Sequence, residues 1–138
     1  MITRADVVAE ARRWIGTPYQ HQARVLGVGV DCAGVVTEVA RALGIATLDY
    51  DGYGRIPHEG LLRTICEERF DRIDDPEPGC IVVMAFLPGV AQEQHLGILT
   101  DTGTMIHAYE RIGRCVEHRY SSTWRVRTRA LYRYRGVV

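Results

Sequence analysis

Four cysteines and five histidines carry the nucleophilic and acid–base chemistry that this sequence offers. The cysteines, at 32, 66, 80 and 115, form no Cys-x-x-Cys pair and no zinc-finger spacing. Cys66 lies in a helical stretch, Cys80 opens an apolar run and Cys115 sits in a strand pattern, so each reads as a small buried hydrophobe. Cys32 differs, because Asp31-Cys32-Ala33-Gly34 stands where a helix is expected to begin. Free N–H groups and the positive end of the helix dipole would there favour a thiolate, the form of sulfur that attacks a carbonyl. Asp31 is expected to cap the helix, and the Cys32 N–H is a candidate oxyanion donor. Ala33 and Gly34 keep side-chain bulk away, so that a substrate backbone can approach.

A cysteine nucleophile needs an imidazole to take its proton and a further group to orient that imidazole. His95 and His107 lie on neighbouring strand candidates joined by Thr100-Asp101-Thr102-Gly103-Thr104. A three-residue loop with Gly103 in the left-handed conformation makes paired positions sum to 204, so that Gly97 faces His107. His95 then shares a face with His107, and the bare Gly97 lets the two rings meet. A two-residue loop would put them on opposite faces. In the productive register His95 is the general base and His107 its orienting partner. Two other readings remain open: structural histidines at a sheet edge, and a zinc site made of Cys32, His95 and His107. His21, His58 and His118 read as surface or loop residues, with His21 placed where it could line a cleft. Tyr19, in the loop before Cys32, either presents its hydroxyl to substrate or is a half-buried aromatic. Tyr19, Asp31, Ala33 and Gly34 are thus the candidate substrate-binding residues.

These groups must be positioned by helices in the first half and strands in the second. Thr3 to Ile15 reads as a helix capped by Thr3 and Asp6, with Val7, Ala11, Trp14 and Ile15 as its buried stripe. Gly16-Thr17-Pro18 ends it, and residues 19 to 30 read as a loop. A second helix starts at Asp31 or Cys32, buries Val36, Val39, Ala40 and Leu43, and stops at Gly44. Residues 45 to 57 are loop-like, His58 to Phe70 is a third helix, and residues 74 to 79 form a turn. Cys80 to Phe86 is an apolar run suited to a central strand. Further strands are expected at 95–100, 104–109, 114–119 and 129–135. Helices followed by antiparallel strands make an α+β fold.

Composition narrows the classes. The chain has 138 residues, enough for one domain with a core of its own. Its 17 basic residues, all arginine, balance 17 acidic ones, so no net charge draws it to nucleic acid or an anionic membrane. Eight arginines against the single acid Glu117 lie between Arg111 and Val138, which reads as a solvated face of terminal strands. No apolar run reaches membrane-spanning length, and the N-terminus lacks the basic start and apolar block of a signal peptide. Cytoplasmic synthesis is expected.

Several segments occur together in order: Gly16-Thr17-Pro18-Tyr19, Asp31-Cys32-Ala33-Gly34, Pro78-Gly79-Cys80-Ile81-Val82, His95-Leu96-Gly97-Ile98 and Met105-Ile106-His107-Ala108. In order and spacing they resemble the NlpC-type cysteine peptidases, murein endopeptidases of bacteria and phages. The resemblance spans roughly Val7 to Ala108. It implies a papain-like fold with N-terminal helices packed on a C-terminal antiparallel sheet, a Cys32-His95-His107 triad and no cofactor. It also implies cleavage between D-glutamate and a diamino acid of the murein stem peptide, with Tyr19 near the site. Ala33 replaces the serine usual after the nucleophile, and Cys80 the aspartate usual after Pro-Gly. The short form resembles versions carried in phage tails or gene transfer agents, which implies tail proteins as partners and action on the cell wall. Competing classes are a catalytically idle tail-assembly protein on the same fold and a murein amidase.

Overall fold

A computed structural model describes residues 1–45, 61–89 and 95–138. Its first helix, α1 (Arg4–Arg12), opens on a reciprocal cap: the Thr3 hydroxyl accepts from the Asp6 N–H, and the Asp6 carboxylate accepts from the Thr3 N–H at 2.8 Å. The helix ends before Ile15, since residues 13–16 turn toward Gly16, whose φ of +91° closes the end. Ile15 is therefore exposed, and Val8 is buried beside Val7, Ala11 and Trp14.

The stretch expected to be a loop contains a small hairpin, β1 (Arg24–Val25) and β2 (Gly29–Val30), turning through Gly27 at φ +74°. Strands of two residues are too short for any side-chain alternation to announce them. Next come α2 (Cys32–Ala42), capped by Asp31, and α3 (Leu61–Arg69). The expected loop from 46 to 57 and the expected third-helix start at His58 lie outside the described residues.

Strand β3 (Asp71–Ile73) was not anticipated, because its three residues sit in an acidic, turn-rich stretch. The remaining strands fall close to expectation: β4 (Ile81–Met84), β5 (His95–Leu99), β6 (Thr104–Tyr109), β7 (Arg114–Arg119) and β8 (Thr128–Arg133). A short helix, α4 (Ser122–Arg125), interrupts the last two. The six longer-range strands form one antiparallel sheet in the order β3-β8-β4-β5-β6-β7, which gives the expected α+β architecture.

All four residues of β4 are buried, as its unbroken apolar run requires of a strand covered on both faces. One face of the sheet carries Ile81, Val83, Leu96, Ile98, Ile106 and Ala108 into a core shared with Val7 and Ala11 of α1 and Val35, Val36 and Val39 of α2. Each valine, leucine or isoleucine among them contributes about 1.5–3 kcal/mol of burial. The buried Tyr134 hydroxyl donates to the Val36 carbonyl at 2.6 Å, fastening the end of the chain to α2. The opposite face holds Val82, Met84, Leu99, Met105, Tyr120 and Leu131.

Candidate active site

Asp31 fixes the start of α2. Its carboxylate, 1% exposed, accepts from the Gly34 N–H (2.8 Å), the Gln22 N–H (2.7 Å) and the Arg24 guanidinium (2.7 Å). Cys32 follows in the first turn, half-buried, against the core that α2 shares with the sheet. The backbone N–H groups of Leu96 and Ala33 face its sulfur, beside the residue that follows His95, but among the described residues no hydrogen bond joins the sulfur to His95 itself. Among the described residues its own N–H has no acceptor, as an N-terminal helix donor free for an oxyanion must have none.

The two strand histidines meet as the register requires. Ile98 pairs with Ile106 and Leu99 with Met105, while Thr100 and Thr104 close the loop through a 2.9 Å hydrogen bond. Those pairs sum to 204, and Gly103 has a φ of +74°. Gly97 stands bare beside the Cβ of His107, only 3.4 Å from where its own Cβ would lie. His95 Nε2 and His107 Nδ1 are therefore 2.6 Å apart. The ladder between β5 and β6 ends at Ile98–Ile106, so the Leu96 N–H is released to the Cys32 sulfur.

His118 departs from its expected surface position. It lies on β7, with Nε2 2.7 Å from His107 Nε2 and Nδ1 3.0 Å from the Arg119 carbonyl. The signal was available: β6 and β7 pair with sums of 223, which puts Val116 opposite His107 and His118 two residues on, sharing its face. Trp124 of the unanticipated α4 covers the row, 5.1 Å from the His107 ring and 5.3 Å from that of His118. Phe86 and Tyr109 close the sides.

Burial sets the protonation of these groups. It raises the Cys32 thiol to about 12, helped by the Asp31 charge and opposed by the Leu96 and Ala33 N–H groups and Arg24. It lowers His95 to about 3, with His118 adding to the effect, and His107 to about 2, with His95 and His118 adding. The resting site thus holds a neutral thiol and neutral imidazoles. The expected thiolate is not the resting form, because desolvation and the Asp31 carboxylate outweigh the helix N-terminus. Burial likewise raises Cys66 and Cys115 to about 12 and Cys80 to about 11, and all three are buried as expected.

The sequence profile of the NlpC/P60 family matches residues 16–133, which include every residue of this constellation. The chain belongs to the NlpC/P60 family. No curated protein matches it by sequence. Its fold is similar to that of an NlpC/P60 family protein from Bacillus cereus, at 18% identity and a TM-score of 0.73, covering 96% of this chain and 40% of that one. NlpC2 from Trichomonas vaginalis is similar at 16% identity and a TM-score of 0.74, over 96% and 46% of the two chains. The NlpC/P60 domain of the peptidoglycan hydrolase SagA is similar at 22% identity and a TM-score of 0.62, over 95% and 98%. The chain therefore spans less than half the length of the first two.

Within this NlpC/P60 fold, the expected substrate-facing residues separate into two groups. Asp31 and Gly34 are buried inward. A Cβ on Gly34 would come within 2.8 Å of the Ala23 carbonyl and 2.7 Å of Val30, so its bareness admits the hairpin and not a substrate. Asp31 likewise spends its oxygens on the protein. Tyr19 and Ala33 are half-exposed; Tyr19 bridges to Val30 and donates its N–H to the Gly113 carbonyl. His21 lies 3.9 Å from Asp31, and His58 falls outside the described residues. Among the described residues no group of three or more His, Cys, Asp or Glu side chains is arranged to hold a metal ion. The three imidazoles turn their nitrogens on one another in a row instead of converging on a point. No helix among the described residues is long and apolar enough to cross a membrane.

Proposed function

We propose that this NlpC/P60 protein is a cysteine peptidase that hydrolyses the murein stem peptide between D-glutamate and a diamino acid. Cys32 is the nucleophile, His95 the general base and His107 its orienting partner. The observation that carries the reading is the 2.6 Å contact between His95 Nε2 and His107 Nδ1. It occupies Nε2 of His95 and leaves Nδ1 for the Cys32 proton, although among the described residues no hydrogen bond joins that ring to the sulfur. The matched family and the likeness to a domain of a peptidoglycan hydrolase support the substrate class.

A neutral resting thiol assigns His95 a working part in the attack. As Cys32 Sγ bonds to the scissile carbonyl carbon, its proton passes to His95 Nδ1. The oxyanion is met by the Cys32 N–H at the start of α2. Collapse of this intermediate expels the amine, which takes the proton from His95. A water then gives a proton to His95 and its hydroxyl to the acyl carbon, and thiol and carboxylic acid leave.

Digestion of purified murein followed by mass analysis of the fragments tests this, with Cys32→Ala as control. Fragments ending in D-glutamate are expected from the wild type and none from the variant. Free lactyl ends would replace the peptidase with an amidase; intact murein with both proteins would leave an idle tail-assembly protein. Iodoacetamide is expected to modify Cys32 well before Cys66, Cys80 or Cys115, which are buried. Carriage in a phage-like tail belongs to the same proposal. Co-purification with tail particles tests it.

A further inference from the structure

Three imidazoles joined nitrogen to nitrogen leave open which way each proton points, and that direction decides whether His95 can be a base at all. The far end of the row settles it. His118 Nδ1 lies 3.0 Å from the Arg119 carbonyl oxygen, which has no hydrogen to give, so Nδ1 carries the proton and donates. In neutral His118 the other nitrogen, Nε2, is then an acceptor. It faces His107 Nε2 at 2.7 Å, so His107 carries its proton there and its Nδ1 accepts. Facing that acceptor at 2.6 Å, His95 must donate from Nε2, and its Nδ1 is left with a lone pair. Resting on the peptidase reading above, we propose that His118, held by the Arg119 carbonyl, is a positioning residue that polarises the row so that His95 keeps an unprotonated Nδ1 to take the Cys32 proton.

The reverse direction is equally well bonded and inert. If His118 took a second proton, its Nε2 would donate to His107, His107 Nδ1 would donate to His95 Nε2, and His95 would hold its proton on Nδ1. No base would then be left for the thiol. A partner that only accepts at this position therefore keeps the site ready, and one that only donates shuts it. The groups packed on His118 are His107 from β6, the Trp124 indole from α4 at 5.3 Å and the Arg119 carbonyl on its own strand. Arg127 lies over that indole at 4.8 Å. His118 is half-exposed, whereas His95 and His107 are buried, so solvent protons reach the row at this end.

Three substitutions and one spectroscopic readout test the assignment. His118→Gln offers an amide oxygen to His107, so kcat stays within a few-fold of wild type. His118→Leu removes the acceptor and lowers kcat about 10- to 100-fold with little change in KM, below the roughly 10⁴-fold loss when a base is held in the wrong tautomer outright. His118→Arg, a donor only, falls furthest. Nitrogen-15 chemical shifts of the ring nitrogens, measured in Cys32→Ala protein, should report a proton on His95 Nε2, His107 Nε2 and His118 Nδ1, with His95 reversed in the His118→Arg background. Equal kcat in all three variants, or a His95 tautomer that ignores residue 118, overturns the proposal. The shifts need no substrate, so a protein that fails to cleave murein yet shows this proton order refutes the peptidase reading and leaves the row's polarity standing.

Discussion

The two faces of the central sheet are made by the same strands and obey different rules. On β5 and β6 the residues alternate: Leu96, Ile98, Ile106 and Ala108 point into the aliphatic core under α1 and α2, and His95, Gly97 and His107 point the other way. The first face is held by apolar area, which has no preferred direction. The second adds to its own apolar cluster a set of hydrogen bonds between rings, which do, and His107 stays buried because each of its ring nitrogens has a partner. A strand whose side chains alternate can therefore serve stability with one set of residues and chemistry with the other.

Crossing the two rules has the largest expected effect. His107→Leu makes the polar face aliphatic; murein turnover should fall by about 10³–10⁴-fold, as when an orienting partner is lost, while the unfolding free energy falls by only about 1–3 kcal/mol as the buried His95 Nε2 loses its partner. A variant that keeps its turnover would end the distinction. On the other face, Ile106→Ala should lower the unfolding free energy by about 2–5 kcal/mol through lost burial and a cavity, with turnover per folded molecule unchanged. Equilibrium urea unfolding beside active-site titration separates the two readouts.

Acid sharpens the contrast. The folded values of His95 and His107 lie near 3 and 2, below the ordinary 6.5, so the unfolded chain binds protons that the folded one refuses. Their contribution is full above pH 6.5 and is lost as pH falls toward 3, by up to about 1.4 kcal/mol per pH unit for each histidine. Urea midpoints should drop between pH 6.5 and 5, above the range where Glu77 and Glu117, both held low by arginines, begin to protonate. In His107→Leu that drop should shrink. The smallest effect belongs to Gly97→Ala, whose methyl would sit 3.3 Å from Val82 and 3.4 Å from the His107 Cβ. About 1 kcal/mol of strain is expected, together with a turnover loss that exceeds the stability loss as the two rings are pushed apart.

Much of this was legible in the sequence because it depends on local chemistry. The Thr3–Asp6 cap, the helix start at Asp31 and the register set by Gly103 each follow from a few adjacent residues, and the pairing of His95 with His107 follows from that register. What escaped notice depends on neighbours far along the chain. Strand β3 is stabilised by pairing with β8, some sixty residues on, and nothing in Asp71-Arg72-Ile73 itself demands it. His118 reaches the row through the next hairpin, by the same arithmetic that brings His95 to His107. The substrate-facing reading of Gly34 failed for a related reason, since a missing side chain does not say which neighbour fills the space. The thiolate expectation weighed the helix terminus without the burial that only packing determines.

The carboxylate of Asp31 has a consequence beyond starting a helix. One side chain ties together the Gly34 amide of α2, the Gln22 amide of the preceding segment and the Arg24 guanidinium of the hairpin. The segment carrying Tyr19 and the turn carrying the sulfur are thereby one mechanical part. Damage anywhere along residues 19–24 should be felt as a misplaced thiol.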